Sequence, residues 1–218
     1  MRAWGACESG FESRYPDQMQ IILKNKVKRN KFNKNYYFGG VYDDYDTFLD
    51  YRKLTKDLIK RYDFVSFLDI GCGCGNLVKE VKKQLENKYR RNFNIQGIDP
   101  SDFAVKRAGV PFVRLADCTR LPYKNSSFDL VYILTTFSYL ETPIMIEKAM
   151  TEAYRTSRKI IVFEDVYTIP KKQSDDYDQY RNYIFSQKQW IDMWKKVIDK
   201  NDKIKTYKKE IIIIKNEP

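Results

Sequence analysis

Phe67-Leu68-Asp69-Ile70-Gly71-Cys72-Gly73-Cys74-Gly75-Asn76 reads as an apolar strand ending in an acid, then a turn with glycine at every second position, then the start of a helix. Glycine lets the backbone turn sharply and approach a ligand closely. In an open parallel α/β sheet, ligands sit beyond the carboxyl ends of the strands where strand order reverses, and the first such turn floors that crevice. The spacing Gly71-x-Gly73-x-Gly75 departs from the G-x-G-x-x-G fingerprint of dinucleotide sites. Asp69 points the same way, because a carboxylate at the crevice repels a pyrophosphate and suits a ligand carrying an ammonium or sulfonium charge.

Outward from this turn, short apolar runs alternate with helical patterns, as in βα units stacked into a mostly parallel sheet. Strands are expected at Phe64–Ile70, Asn94–Asp99, Pro111–Ala116, Phe128–Leu134 and Lys159–Asp165, each nearly continuous in apolar residues as for strands covered on both faces. Lys203–Lys215, with its β-branched run Ile211–Ile214, predicts a last strand or strands, antiparallel and near an edge. Leu77, Val78, Val81 and Leu85 recur at helical spacing, as do Ile146, Ala149, Met150, Ala153 and Tyr154. Thr142-Pro143 gives the second helix an N-cap with proline at its first position, and Ser186 with Gln189 forms a capping box ahead of Trp190, Met193, Trp194, Val197 and Ile198, an aromatic stripe read as core. Upstream, Phe48, Tyr51, Leu54, Leu58 and Ile59 predict an amphipathic helix from about Asp46 to Tyr62. The sequence thus divides into a helical and aromatic N-terminal arm, 1–45, and one α/β domain, 46–218. The arm's stretch YYFGGVYDDY, Tyr36 to Tyr45, suits either a mobile cover for a ligand pocket or packing on the domain.

The chain has 218 residues, 43% hydrophobic and 32% charged, the balance of a soluble globular protein able to bury a core without a metal or disulfide staple. No apolar run reaches the length of a membrane span and the N-terminus lacks a secretory pattern, so no membrane insertion and a cytoplasmic location are expected. Four cysteines, of which only Cys72 and Cys74 are close, and no histidine argue against a metal site and for reduced thiols. The formal charge of +11 admits a nucleic-acid partner, yet the excess is lysine spread over Lys24–Lys34, Lys79–Arg91 and Lys195–Lys209, which favours a solvated lysine-rich exterior.

The strand-loop pattern closely resembles that of the class I S-adenosylmethionine-dependent methyltransferases, whose D-x-G-x-G-x-G motif is matched by Asp69, Gly71, Gly73 and Gly75. The resemblance continues at Gly97-Ile98-Asp99-Pro100-Ser101, at Leu115-Ala116-Asp117-Cys118, at Leu121-Pro122-Tyr123 and at Ser127-Phe128-Asp129-Leu130-Val131. It implies a Rossmann-like methyltransferase fold with about seven strands flanked by helices, and S-adenosylmethionine as cofactor. It also implies roles: Asp99 for the ribose hydroxyls, Asp117 for the adenine amino group, the backbone of Cys118 against the ring, and Leu134 and Thr135 on the wall. Asp69, Gly71, Cys72, Gly73, Gly75 and Pro100 complete the expected cofactor set, and Asp129 is expected to be structural.

For the reaction, the expected acceptor is a small polar metabolite, such as a sugar or sugar-like natural product, methylated on oxygen or nitrogen. The family's frequent histidine after the fourth strand is replaced here by Thr136-Phe137-Ser138-Tyr139-Leu140-Glu141. Candidates for a base or acceptor-orienting group are therefore Glu164, Asp165 and Tyr139, with Glu141 beside them; Glu164 or Asp165 could instead cap the following loop and Tyr139 could be packing. The acceptor wall is expected to draw on Tyr36–Tyr45 and on Tyr167–Phe185, with acidic Asp175, Asp176 and Asp178. An RNA methyltransferase, favoured by charge, and a non-catalytic cofactor-binding subunit are the alternatives.

Overall fold

The computed structural model describes residues 31–90, 92–168 and 178–216. Cys7, residues 1–30 of the arm, and Asp175 and Asp176 lie outside them.

Seven strands form one sheet: β1 (Ser66–Ile70), β2 (Asn94–Asp99), β3 (Val113–Leu115), β4 (Phe128–Leu134), β5 (Ser157–Glu164), β6 (Lys203–Tyr207) and β7 (Glu210–Ile214). Their order is β3-β2-β1-β4-β5-β7-β6. The first five run parallel, while β7 pairs antiparallel with both β5 and β6, placing the Ile211–Ile213 run against Ile161–Phe163. Strand order reverses between β1 and β4, so their carboxyl ends diverge and leave a crevice.

Helices α1 (Tyr51–Arg61), α2 (Asn76–Tyr89), α3 (Asp102–Ala108), α4 (Pro143–Thr156) and α5 (Gln187–Trp194) flank the sheet. On one face Leu58, Val78, Val81 and Leu85 pack on Phe67, Leu130 and Tyr132. On the other, Ile146, Met150, Trp190 and Trp194 pack on Leu68, Ile133 and Phe163. Both caps expected from the sequence form: the Thr142 hydroxyl accepts from the Met145 amide, and Ser186 and Gln189 cap α5 reciprocally.

Five boundaries differ from expectation: β1 starts at Ser66 instead of Phe64, β5 runs Ser157–Glu164 instead of Lys159–Asp165, and the other three have visible local causes. The Asp46–Tyr62 helix starts at Tyr51, because Asp50 is its N-cap, accepting from the Lys53 amide. Asp46 instead pairs with Arg107 and accepts from Asn76, and Phe48 packs on Tyr42 rather than on the sheet. The third strand shortens to Val113–Leu115, starting past Pro111, which has no amide to donate. Helix α5 stops at Trp194, and Val197 and Ile198 reach the core from the following turns. Helix α3, not singled out from the sequence, is held by the Ser101 hydroxyl at its start and by left-handed Gly109 at its end. Among the described residues, no helix is long and apolar enough to cross a membrane.

Asp129 ties the sheet's amino edge. Its buried carboxylate accepts from the Val65 and Ser66 amides (2.9 and 3.2 Å), from the Ser66 hydroxyl (3.0 Å) and from Arg158 (2.9 and 2.6 Å). Burial pushes its pKa up, but these donors outweigh burial and hold the carboxyl below its usual range. A carboxylate with a depressed native pKa stabilises the fold above its unfolded pKa, and that contribution is lost as pH falls through the native value. Asp129→Ala should therefore cost about 3 kcal/mol near pH 7. In urea titrations the gap to wild type should narrow below about pH 4; a gap independent of pH would show that the charge is not responsible.

Candidate cofactor and acceptor site

At the end of β1 the chain bends over β2. The amides of Gly71 and Cys72 both donate to the Ile98 carbonyl (2.8 and 3.0 Å), and the Gly73 amide donates to the Asp99 carboxylate (2.8 Å). Gly71 and Gly73 hold φ of +78° and +53°, where a side chain is strained. Space forbids one as well: a Cβ on Gly71 would overlap Thr136, and one on Gly73 would stand 2.5 Å from the Tyr45 hydroxyl.

Asp99 ends β2 with its carboxylate 5% exposed, accepting from the Gly73 amide on one oxygen and from the Ser101 amide (2.8 Å) on the other. The Tyr37 hydroxyl stands 3.5 Å from that second oxygen. Burial pushes the Asp99 pKa up to about 6, with the two amides working against the rise. Asp69, one strand over, is pushed up to about 8 by burial and then by the charge of Asp99. Neither carboxylate has an ion-pair partner among the described residues.

Above these groups lies a cavity of about 250 Å³. Gly71, Asp99, Pro100, Asp117, Cys118, Leu134 and Thr135, seven of the residues singled out from the sequence, reach its wall, joined by Tyr139 and Glu141. Asp117 spends one oxygen on Thr119, accepting from its amide and hydroxyl (both 2.8 Å). Thr135 has φ of +45°, a strained conformation at the carboxyl end of β4. Asp69, Cys72, Gly73 and Gly75 are not on the wall; they shape or underlie the loop. The buried thiols are pushed upward by burial, Cys118 to about 12, and so stay neutral.

Glu164 and Asp165 are not on the wall either. Asp165 is buried beneath the loop after β4, where it accepts from the Ser138 amide (3.3 Å) and the Val166 amide (2.8 Å), the capping role that was its alternative. Glu164 feels Glu210, Lys209 and Arg61 on the side of the sheet facing α1. Tyr139 belongs to a buried polar system. Its hydroxyl donates to Asp178 (2.7 Å) and accepts from Arg181 (3.3 Å), while the Tyr36 hydroxyl donates to the same Asp178 oxygen (3.0 Å).

The opposite wall is the arm. Tyr36, Tyr37, Tyr42 and Tyr45 line the cavity and meet one another edge to face at 4.9 to 5.4 Å. Lys31, Phe32 and Met145 also line it and escaped the sequence reading. Lys31 donates to the Tyr139 carbonyl (2.9 Å) and Phe32 accepts from the Ser101 hydroxyl (2.5 Å), long-range contacts that periodicity does not announce.

Comparison with known proteins agrees with this geometry. Residues 68–160 match the family described as a methyltransferase domain. Among curated proteins, none matches the chain. Solved structures do, at the level of the fold. A methyltransferase from Thermotoga maritima, described as a possible histamine N-methyltransferase, is 22% identical over 77% of this chain and 87% of its own, with a TM-score of 0.52. A putative methyltransferase of Haloferax volcanii, solved in complex with the Trm112 activator, is 15% identical over 83% and 80%, with a TM-score of 0.57. The plantazolicin methyltransferase BpumL, solved with S-adenosylhomocysteine, is 17% identical over 79% and 84%, with a TM-score of 0.55. The matched stretch, residues 68–160, is thus similar to a methyltransferase domain, and the fold around it is the one seen in solved S-adenosylmethionine-dependent methyltransferases.

The donor set fits that cofactor: backbone amides beneath, a carboxylate for a vicinal diol, and a buried carboxyl group, Asp69, that a cationic ligand would favour in its ionised form. Both carboxylates have raised native pKa values, so their favourable contribution to apoprotein stability is complete below the unfolded value near 4 and is lost as pH rises through 6 and 8. Asp69→Asn should raise the melting temperature of the apoprotein at pH 9 and leave it nearly unchanged at pH 4. Equal effects at both values would remove charge burial as the cause.

Proposed function

We propose that the protein transfers the methyl group of S-adenosylmethionine to an oxygen or nitrogen atom of a small polar metabolite, such as a sugar or sugar-like natural product. The observation that carries this reading is the character of the cavity: small, roofed by the arm and walled by phenols held in place by hydrogen bonds. Such walls recognise a compact polar molecule. The cofactor, when bound, supplies a methyl group on a positively charged sulfur, and its departure needs no protein nucleophile.

The chain's own residues bind, orient and enclose. Asp99 accepts from both ribose hydroxyls, and the free oxygen of Asp117 accepts from the adenine amino group. Pro100, Cys118, Leu134 and Thr135 enclose the adenosyl moiety, and Gly71 lets the backbone lie against it. Asp69 supplies negative charge below the loop once the cofactor's positive centre draws off its proton. Holding the acceptor in line contributes about 7 to 11 kcal/mol in favourable cases. Tyr139 is the acceptor-orienting group, since Glu164 and Asp165 do not reach the cavity. Burial holds its phenol neutral well above the ordinary range, and its one proton goes to Asp178, so it orients the acceptor through an oxygen lone pair and does not act as a base.

Residues 46–218 form the methyltransferase domain and the arm within 1–45 its lid. A cavity of about 250 Å³ is just under the range of about 300 to 1,000 Å³ typical for small-molecule sites. Tyr37 and Tyr45 stand against Asp99 and Gly73, so the arm shifts to admit the cofactor and closes to exclude water.

Two measurements test the reading. Calorimetry should show S-adenosylmethionine binding that Asp99→Asn weakens about 100-fold, the loss of two hydrogen bonds to a charged acceptor. With a metabolite pool and an RNA pool as acceptors, S-adenosylhomocysteine should accumulate with metabolites. Turnover only with RNA would favour the RNA methyltransferase, and binding with no turnover the cofactor-binding subunit. Once an acceptor is found, Tyr139→Phe should lower kcat/KM about 10- to 100-fold while cofactor affinity stays within about 3-fold of wild type.

A further inference from the structure

Away from the cofactor cavity, α1 presents Arg52, Lys56 and Lys60 at intervals of four residues, stacked on one face about 6 Å apart along the axis. Helix α2 supplies Lys83 and Lys88, and between the two helices runs a groove of about 780 Å³. These five cations share its walls with one carboxylate, Glu80, which accepts from Gln84 (2.7 Å). All five are exposed, and none takes part in an ion pair among the described residues.

Part of the basic surface elsewhere is built differently. Lys82 pairs with Glu86, Lys106 with Asp102, and Lys188 and Lys195 with Asp192. A solvated lysine-rich exterior interleaves its charges in this way, whereas the groove gathers one sign on two facing walls and raises the local potential.

We propose that the α1–α2 groove is a docking site for a nucleic-acid strand, held through its phosphates. The cations face each other across a concavity, which admits a narrow linear polyanion; an anionic bilayer, being flat, meets only the rims. The groove wall holds no aromatic side chain on which a base could stack, so binding is independent of sequence. The site does not depend on the identity of the methyl acceptor. It does share α1 with the cavity: Arg52 follows Tyr51, whose hydroxyl donates to the Tyr45 carbonyl (3.1 Å), and Tyr45 lines the cofactor wall. A docked strand therefore lies beside the arm.

Fluorescence anisotropy with labelled 20-nucleotide oligo(U) and oligo(dT), across a salt series, tests the proposal. Each phosphate contact on a single strand contributes about −0.7 to the slope of log K against log salt, so engagement of four or five cations gives a slope near −3. The triple variant Lys56→Gln, Lys60→Gln, Lys83→Gln should bind at least about 10-fold more weakly at low salt, with a slope shallower by about 2. Its cofactor affinity and melting temperature should match wild type, which separates loss of docking from loss of fold or of the cofactor site. A control of equal charge change, Lys106→Gln, Lys188→Gln, Lys195→Gln, should bind as wild type does. The proposal is overturned if both triple variants weaken binding equally, if the wild type fails to bind either oligonucleotide at low salt, or if it binds phosphatidylserine vesicles and neither oligonucleotide.

Discussion

Two buried carboxylates at the carboxyl ends of β1 and β2 set the terms for the rest of the site. A charge removed from water must find donors, find a counter-charge or take up a proton. Asp99 finds donors in the amides of Gly73 and Ser101, and those contacts fix the glycine loop over β2 and the start of α3. Asp69 has no such shell of donors, and its pKa rises further. The strand order, the glycine turn and the caps of two helices thus converge on negative charge that the protein alone leaves incompletely compensated. A ligand bearing hydroxyl donors and a positive centre completes it.

The other half of the site follows a different principle. Tyr36, Tyr37, Tyr42 and Tyr139 are kept neutral by burial, so they present hydroxyl groups without adding charge. Their edge-to-face contacts give the arm a packing interest in the cavity, and Asp178 joins Tyr36 of the arm to Tyr139 of the domain through one oxygen. Such a wall is held by several modest bonds, as the lid role proposed for the arm requires.

Signals local in the chain were legible in the sequence, and those made by folding were not. β2 and β4 appear at their expected bounds because they are buried on both faces and read as continuous apolar runs. The caps at Thr142 and Ser186 are contacts within three residues, visible in any window. The carboxylates at strand ends were legible because strand ends define the crevice. Asp165 shows the limit of that rule: it directly follows β5, but its side chain turns under the loop to meet Ser138. Lys31 and Asp178 reach Tyr139 across 108 and 39 residues, and nothing in the local pattern predicts such a contact. The short α3 went unmarked because seven residues offer too little periodicity, and the α1 start was misjudged because Phe48 fits the helical spacing while packing on tyrosines.

The chain contains no histidine, the residue through which most proteins respond to small changes in acidity around neutrality. Here that range belongs to Asp69, Asp99 and Asp165, which burial has moved into it. A positive ligand arriving beside Asp69 and Asp99 favours their ionised forms and expels whatever protons they hold. On the proposed placement of the cofactor beside these carboxyls, loading it is also an act of proton release, and acidity of the surroundings competes with it.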